Sequence, residues 1–211
     1  MKPTHIIWDW NGTLLDDVDA SVDIVNDILR AQGRGETTLA EYHAMMEMPI
    51  IRYYEKLFDL RALPFERIVR AFNEGYARRS AQMHLADGAR EALARFAADG
   101  CVQVILSSFE KTRLRAAVHA KGVEPYFAEI LGADDLRAES KESRARAWQA
   151  KSGARPEHTL VIGDLVHDGE VAHALGAQCI LTCSGHQPRS ALETCGFPVA
   201  QSLTQLFDFI A

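Results

Sequence analysis

Residues 5–14 read HIIWDWNGTL, an apolar run that is followed directly by polar residues. A short apolar run from His5 to Trp8 is followed at once by Asp9, Asn11 and Gly12, residue types that are rare in strands and common in loops. The pattern predicts a strand that ends where the polar residues begin. Because one strand is not stable alone, we expect it to pair within a larger sheet.

A helical pattern follows over residues 17–83. Apolar side chains recur every three or four positions from Val18 to Leu29, and Gly33 follows as a helix stop signal. Pro49 and Pro64 each precede a further amphipathic run, at the start of a helix, where a missing N–H costs nothing. The stretch therefore predicts helices and no strand.

After Gly88 the pattern changes to an alternation of helix and strand, which is typical of βαβ units. The predicted strands are 102–106, 129–131, 160–162 and 178–182, and the predicted helices are 89–98, 111–121, 141–151, 168–175 and 203–210. Continuous apolar strands between helices indicate a parallel sheet that is covered on both faces. The predicted fold class is α/β, with a doubly wound, Rossmann-like core of residues 1–14 and 87–211 and an inserted all-helical cap of residues 15–86.

Composition excludes several classes of function. The chain has 23 Lys and Arg against 29 Asp and Glu, a net charge of −6, which argues against a nucleic-acid-binding or lipid-binding surface. It contains no apolar run long enough to span a membrane and no signal peptide, so we expect a cytoplasmic protein. Four Cys without CxxC spacing predict reduced thiols. The expected partner is a small phosphorylated metabolite, and the expected state is a monomer or homodimer.

Polar side chains follow the predicted strands at the edge where parallel α/β sheets bind ligands. They are Asp9, Asn11 and Thr13, then Ser107 and Ser108, then Asp164 and Asp168, together with Lys141 at the start of a helix. Carboxylates crowded at one edge repel one another, and a hard divalent cation with oxygen ligands relieves that repulsion. The sequence therefore predicts a Mg²⁺ site, suited to phosphoryl transfer with an Asp nucleophile.

These residues resemble the motifs of the haloacid dehalogenase (HAD) superfamily. The segment DWNGTL at residues 9–14 resembles the first motif, Ser107 the second, Lys141 the third, and Asp164 with Asp168 the fourth. Their order is that of the superfamily. A helical insertion just after the first motif is similar to the phosphoglycolate phosphatase-like branch. The resemblance covers essentially the whole chain and implies a phosphatase.

The resemblance also implies a role for each residue. Asp9 is the expected nucleophile that forms an aspartyl-phosphate. The expected Mg²⁺ ligands are Asp9, the backbone carbonyl of Asn11 and Asp164, with Asp168 supporting the metal through water. Ser107, Ser108, Thr13 and Lys141 are expected to bind substrate, with Lys141 balancing the charge that Asp9 shares with the phosphate.

One residue departs from the superfamily pattern. Its phosphatases carry a second Asp two positions after the nucleophile, as general acid and base, whereas this chain has Asn11. An amide cannot transfer the proton, and such transfer is worth about 10² to 10⁴ in rate. A phosphatase without this acid needs a leaving group acidic enough to depart unprotonated, or another proton donor. His167 and His186 are candidates, although a hydrogen-bonded, non-catalytic interpretation is favoured for both.

Three alternatives remain open at this point. Phosphonoacetaldehyde hydrolases lack the acid and use a cap lysine, and Lys56 is the one lysine of residues 15–86. The chain is alternatively a non-catalytic phosphate-binding regulatory protein, or a phosphate-transferring mutase. Arg67, Arg70, Arg78 and Arg79 give one cap helix a basic side that is more typical of a solvated face than of a substrate contact.

Overall fold

A parallel sheet forms the centre of the computed structural model, which describes residues 2–134 and 140–210. The strands of the described residues, in chain order, are β1 (His5–Trp8), β2 (Leu15–Asp16), β3 (His84–Leu85), β4 (Val102–Glu110), β5 (Glu129–Ala133), β6 (Thr159–Gly163), β7 (Gln178–Thr182) and β8 (Val199–Ala200). Six of them form one sheet in the order β5-β4-β1-β6-β7-β8, and every pairing in it is parallel. The predicted α/β class is confirmed.

Helices surround this sheet and fill the insertion. They are α1 (Val18–Ala31), α2 (Leu39–Met45), α3 (Ile50–Leu57), α4 (Phe65–Arg79), α5 (Ala89–Ala98), α6 (Lys111–Ala120), α7 (Lys141–Ser152), α8 (Val166–Leu175) and α9 (Arg189–Leu192). The helix predicted at 203–210 is instead a 3₁₀ helix, Leu203–Asp208. Its buried side chains, Leu203 and Leu206, are three positions apart, which is one turn of a 3₁₀ helix.

The sheet is buried on both faces, as the continuous apolar strands predict. Successive residues of β1 point to opposite faces. Ile6 and Trp8 therefore pack in one hydrophobic core, and Ile7 packs in a second core on the other side. Trp8 Nε1 also donates a 2.9 Å hydrogen bond to Gln103 Oε1, so its one polar atom is satisfied inside the core. No helix in the described ranges is long and apolar enough to cross a membrane.

The helices α1–α4 lie between two very short strands. Leu15 pairs with Leu85, and Asp16 pairs with His84, so β2 and β3 form an antiparallel ribbon. The backbone N–H of Ala86 extends it by donating to the carbonyl of Leu14. Strands of two residues have no recognisable sequence pattern, and sequence analysis missed this ribbon. The ribbon brings together the two points at which the chain enters and leaves the segment that contains α1–α4.

Two sequence-based boundaries near the site are wrong. Ser107 and Ser108 were expected after a strand ending at Leu106, but β4 continues to Glu110. The register with β5 shifts after Leu106 and pairing resumes between Glu110 and Ala133, so the two serines lie in an irregular part of the strand. The helix expected to start at Asp168 starts at Val166, which places Asp168 in its first turn.

Candidate active site

Three buried carboxylates meet at the carboxyl edge of the sheet. Asp9 follows β1, Asp164 follows the neighbouring strand β6, and Asp168 lies in the first turn of α8. Asp164 and Asp168 are fully buried, and Asp9 is 6% exposed. One ligand oxygen from each carboxylate lies within 4.8 Å of the others. The expected convergence of strand ends therefore brings these residues together.

Lys141 joins this cluster from the start of α7. Its Nζ bonds to Asp9 Oδ1 and, at 2.5 Å, to Asp168 Oδ1. The side chain of Lys141 is almost as buried as those of its partners, so water screens these ion pairs only weakly. Ser140 caps α7 by accepting a hydrogen bond from Ser143 N–H, which fixes the first turn and hence the origin of Lys141.

Asp168 uses both carboxylate oxygens inside the protein. Oδ1 accepts from Lys141, and Oδ2 accepts from the backbone N–H groups of Asp164 and Leu165 at 3.1 and 3.0 Å. These contacts hold the loop after β6 and aim the lysine at Asp9. The geometry therefore gives Asp168 a supporting position behind the other two carboxylates.

Asp164 is oriented by the first loop and by the loop after β7. Thr13 Oγ1 donates to Oδ1 at 2.7 Å, and the backbone N–H of His186 donates to Oδ2 at 2.7 Å. Gly12 has a φ of +73°, and a Cβ atom there would lie 2.3 Å from Asp164 Oδ2. Only glycine lets the loop after the nucleophile approach Asp164 this closely.

The charge of the cluster is unbalanced. Burial raises the pKa of Asp9 to about 8, as do the nearby carboxylates of Asp168 and Asp164, against the opposing attraction of Lys141. Burial likewise raises the pKa of Asp164 to about 6. Asp168 and Asp9 raise the pKa of Lys141, outweighing its burial. Metal ligands have to be deprotonated, and with all three carboxylates ionised and one ammonium the cluster carries a charge of −2, which a divalent cation with oxygen ligands neutralises.

Asn11 takes part in a hydrogen-bond network that sequence analysis did not foresee. Its Nδ2 donates to Asp17 Oδ2 at 2.7 Å and to the Tyr76 hydroxyl at 2.6 Å, and Tyr76 itself donates to the same Asp17 oxygen. The other oxygen of Asp17 accepts from Gly12 N–H at 2.8 Å. Asp17 precedes α1 but makes no capping hydrogen bond, because its carboxylate serves the first loop instead. Burial alone would raise the pKa of Asp17, but the attraction of His186 and the hydrogen bonds from His186, Asn11 and Tyr76 hold it low.

His186 continues this network into the insertion. Its Nε2 lies 3.3 Å from Asp17 Oδ1, and its Nδ1 lies 2.9 Å from the Tyr42 hydroxyl. Asp17 and Asp164 raise the pKa of His186 to about 9, against its burial. His167, the other candidate proton donor, contacts Glu170 at 2.9 Å and is only partly buried. The structure therefore places His186, rather than His167, in the network beside Asn11.

The two serines differ in exposure. Ser107 is buried, and its Oγ accepts a 3.1 Å hydrogen bond from Phe109 N–H, which leaves its hydroxyl proton available to a ligand. Ser108 is exposed at the edge of the same site. Both line the cavity that lies above Asp9.

This cavity has a volume of about 280 Å³ and lies between the sheet edge and the helical insertion. Asp9, Ser107 and Lys141 line one part of it, and side chains of α1–α4 and of the loops around the sheet edge line the rest. Most of the lining is aromatic or aliphatic, from Tyr42, Met46, Met48, Ile50, Tyr53, Tyr54, Val69, Phe72, Tyr76 and Phe109. A pocket of this size is comparable with those that hold small metabolites.

Two groups of cap residues considered from the sequence lie elsewhere. Lys56 Nζ donates to the carbonyl of Met45 at 2.9 Å and pairs with Glu47, and Lys56 is not among the residues that line the cavity. Of the cap arginines, Arg67 and Arg78 line a separate pocket, and Arg79 pairs with Asp27. These positive charges therefore do not face Asp9.

The chain is similar in sequence to known hydrolases. The family model described as haloacid dehalogenase-like hydrolase matches residues 6–182. A phosphoglycolate phosphatase of Rhodobacter capsulatus is 25% identical over 86% of this chain and 85% of its own length. Pyrophosphatase PpaX of Oceanobacillus iheyensis is 26% identical over 80% of this chain and 78% of its own.

A solved structure supports the fold independently. A haloacid dehalogenase-like hydrolase of Streptococcus pneumoniae superposes with a TM-score of 0.86 over 98% of both chains, at 16% sequence identity. The range matched by the family model covers most of the chain, and Asp9, Ser107, Lys141, Asp164 and Asp168 lie within that range. The resemblance that rested on four short motifs is therefore confirmed, and the chain belongs to the haloacid dehalogenase-like hydrolases.

Proposed function

We propose that this protein is a Mg²⁺-dependent phosphatase that hydrolyses a small phosphomonoester through an aspartyl-phosphate on Asp9. The observation that carries the proposal is the position of Lys141, whose Nζ bridges Asp9 and Asp168 at the base of a cavity of metabolite size. The named activities of the relatives, phosphoglycolate phosphatase and pyrophosphatase, support phosphoryl chemistry.

Each site residue then has a task in the proposed reaction. Asp9 attacks phosphorus with one carboxylate oxygen. Lys141 offsets the charge that Asp9 and the phosphoryl group share, and Ser107 Oγ donates to a phosphoryl oxygen. Asp168 positions Lys141, and Thr13 positions Asp164. Removal of these preorganised donors is expected to cost catalysis without changing the fold.

Asp9, Asp164 and the backbone carbonyl of Asn11 are the residues that would hold Mg²⁺, with Asp168 behind them. When bound, the ion neutralises phosphoryl oxygens and stabilises the charge of the transition state. The residual charge of −2 and the all-oxygen donor set fit this ion better than a softer metal.

We also propose that residues 1–14 and 87–211 form the catalytic core and residues 15–86 a cap that closes over the substrate. The β2–β3 ribbon joins the two parts, and each of α1–α4 contributes side chains to the cavity wall. A closed cap excludes water from the phosphoryl group. The proposed setting is the cytoplasm, with the chain as a monomer or homodimer.

The test is phosphate release from 4-nitrophenyl phosphate with and without Mg²⁺. We expect turnover by the wild type with Mg²⁺, loss of turnover with EDTA, and loss of turnover in Asp9→Asn at any Mg²⁺ concentration. Phosphate release by Asp9→Asn at the wild-type rate would remove Asp9 as nucleophile. Circular dichroism of the variant provides the control for folding.

A further inference from the structure

The aromatic part of the cavity lies where the alcohol half of a phosphomonoester has to sit. Its rings come from Tyr42, Tyr53, Tyr54, Phe72, Tyr76 and Phe109. The rings of Tyr42 and Tyr53 meet edge to face at 5.4 Å, and those of Tyr76 and Phe109 are also 5.4 Å apart. Such a wall favours a flat apolar group, because offset and edge-to-face ring contacts add to the gain from burial.

The charges of the described lining argue against a second anionic group in the same space. Within residues 2–134 and 140–210, the basic side chains of the lining are Lys141, His167 and His186, and no arginine contributes. Each of the three already has a carboxylate partner. A glycolate carboxylate or a second phosphate would be buried there without its own cation, which is costly.

The hydroxyl of Tyr53 points independently to a ligand. Tyr53 is 1% exposed and lines the cavity, yet its hydroxyl has no hydrogen-bond partner within the described part of the chain. Buried hydroxyl groups are normally satisfied, and an exception calls for an explanation. A polar substituent on a bound ring would supply the missing partner.

Asn11 places a second, chemical restriction on the leaving group. The amide is held by Asp17 and Tyr76, and it carries no proton that it can transfer to the departing oxygen. Both ring nitrogens of His186 are already engaged, Nε2 with Asp17 and Nδ1 with Tyr42. A phenolic oxygen, with a pKa of about 10, departs far more readily as an anion than an alkanol oxygen, whose acidity is close to the value of about 15.7 for water. The cavity wall and the absence of an acid at position 11 therefore favour the same kind of leaving group, an aromatic ring whose oxygen departs as an anion.

Resting on the proposed phosphatase function, we infer that the substrate is the phosphomonoester of a phenolic hydroxyl group, with its aromatic ring in this cavity. Asp9 forms a bond to phosphorus while the bond between phosphorus and the aryl oxygen breaks, and the electron pair leaves with the phenolate. Water then attacks phosphorus, which releases phosphate and regenerates the Asp9 carboxylate. The proton that this step liberates passes to the phenolate in solution.

Five substrates separate ring recognition from leaving-group acidity in the wild-type protein with Mg²⁺. They are phenyl phosphate, benzyl phosphate, cyclohexyl phosphate, phosphoglycolate and pyrophosphate. Phenyl and benzyl phosphate should have similar KM values, whereas kcat should be about 10² or more higher for phenyl phosphate, since only the benzyl ester needs a proton donor. Phosphoglycolate and pyrophosphate should show kcat/KM values at least about tenfold below that of phenyl phosphate.

A cation placed in the cavity provides the matched variant. Val69 lies on α4, lines the cavity and is only partly buried, so a longer side chain fits without disturbing the core. Val69→Arg should lower kcat/KM for phenyl phosphate and raise it for phosphoglycolate, whereas Val69→Met, of similar length but uncharged, should not raise kcat/KM for phosphoglycolate.

Binding of inert analogues gives a readout that does not need turnover. Phenylphosphonate should bind the wild type more tightly than phosphonoacetate does, by isothermal titration calorimetry. Tighter binding of phosphonoacetate would overturn the inference, as would a higher kcat/KM for phosphoglycolate or pyrophosphate than for phenyl phosphate. In the latter case the phosphatase proposal stands. Absence of phosphate release from every substrate would overturn the phosphatase proposal. The relative affinities of phenylphosphonate and phosphonoacetate would then show only whether the cavity prefers an aromatic ring or a carboxylate.

Discussion

The side-chain amide of Asn11 donates a 2.7 Å hydrogen bond to the carboxylate of Asp17. The acidic group that the superfamily carries at position 11 is absent, and a carboxylate six residues later contacts that position instead. An Asp at position 11 would bring a partly buried carboxylate to hydrogen-bond distance of the buried Asp17, where like charges cannot both ionise without a penalty. The amide is therefore the side chain that suits this neighbour.

Asn11→Asp should destabilise the protein, because it replaces a donor by a second carboxylate. We expect a loss of about 1–3 kcal/mol in the free energy of unfolding at pH 7, measured by urea denaturation. The pKa of one carboxyl of the pair would be raised in the folded state, so the loss should grow as the pH rises and shrink as it falls. A variant as stable as the wild type at pH 8 would contradict this interpretation of the contact.

The exchanged pair Asn11→Asp/Asp17→Asn provides the control. It restores one amide and one carboxylate, so it should recover much of the lost stability, although His186 loses its charged partner. The same double variant places an acid beside the leaving group. It should accelerate hydrolysis of benzyl phosphate by about 10² while changing phenyl phosphate little, in a stopped phosphate-release assay.

Lys141→Met should be strongly destabilising when no metal is added. It removes the ammonium that bonds to Asp9 and Asp168 and leaves uncompensated buried charge, a loss of about 3–5 kcal/mol by urea denaturation. Adding Asp168→Asn to this variant removes one negative charge and should recover part of the loss. Lys151→Met, at an exposed position of the same helix, should lie within about 0.5 kcal/mol of the wild type.

Mg²⁺ should stabilise the folded protein by binding at the carboxylate cluster. At one hundred times its Kd, a ligand adds about 2.7 kcal/mol, and each kcal/mol raises Tm by about 2–4 °C in a chain of this size. The measurement is a thermal melt with MgCl₂ against NaCl of equal ionic strength. Asp164→Asn should abolish the Mg²⁺ increment. An equal increment in that variant would place the metal elsewhere.

Tyr53→Phe should leave the stability unchanged or raise it, because the hydroxyl that it removes has no partner in the described structure. Tyr42→Phe is the matched control, since Tyr42 packs against Tyr53 but its hydroxyl contacts His186 Nδ1 at 2.9 Å. Removing that hydroxyl should cost about 1–3 kcal/mol. Comparable losses in the two variants, measured by urea denaturation, would show that the Tyr53 hydroxyl is satisfied.

Lys56→Ala should retain phosphatase activity within about twofold, since the lysine contacts Met45 and Glu47 and does not line the cavity. The result separates the phosphatase proposal from Schiff-base chemistry on this lysine. Borohydride trapping of a Lys56 adduct with phosphonoacetaldehyde, lost in Lys56→Ala, would instead support the phosphonatase alternative.

The positions of Asp9, Asp164 and Lys141 were accessible from sequence because they depend on one rule. Parallel strands end at a common edge, so polar residues after apolar runs converge. The bond between Tyr76 and Asp17 follows no such rule, since it joins residues 59 positions apart and depends on how α4 packs against the first loop. The one signal in the sequence was Asp17 itself, the second of two adjacent acidic residues. Local sequence patterns assign such a residue to the start of a helix and not to a contact with the first loop.

The cavity wall was inaccessible for a related reason. Tyr42, Tyr53 and Phe72 occur at helical spacing, and that pattern is the same whether a ring packs in the core or faces a substrate. The difference arises only when α2, α3 and α4 are assembled. The irregular end of β4 was equally hidden, because Ser107 and Ser108 are polar and interrupt the apolar pattern of the strand.

The β2–β3 ribbon has a consequence for how the proposed cap moves. The chain passes between the two proposed parts twice, each time through a strand of two residues. Any opening is therefore concentrated in a few backbone torsions. Asp16 pairs in the ribbon, and the next residue, Asp17, binds Asn11 and Tyr76. In the proposed cap movement, a change in the torsions of the ribbon is therefore passed directly to the loop that carries the nucleophile.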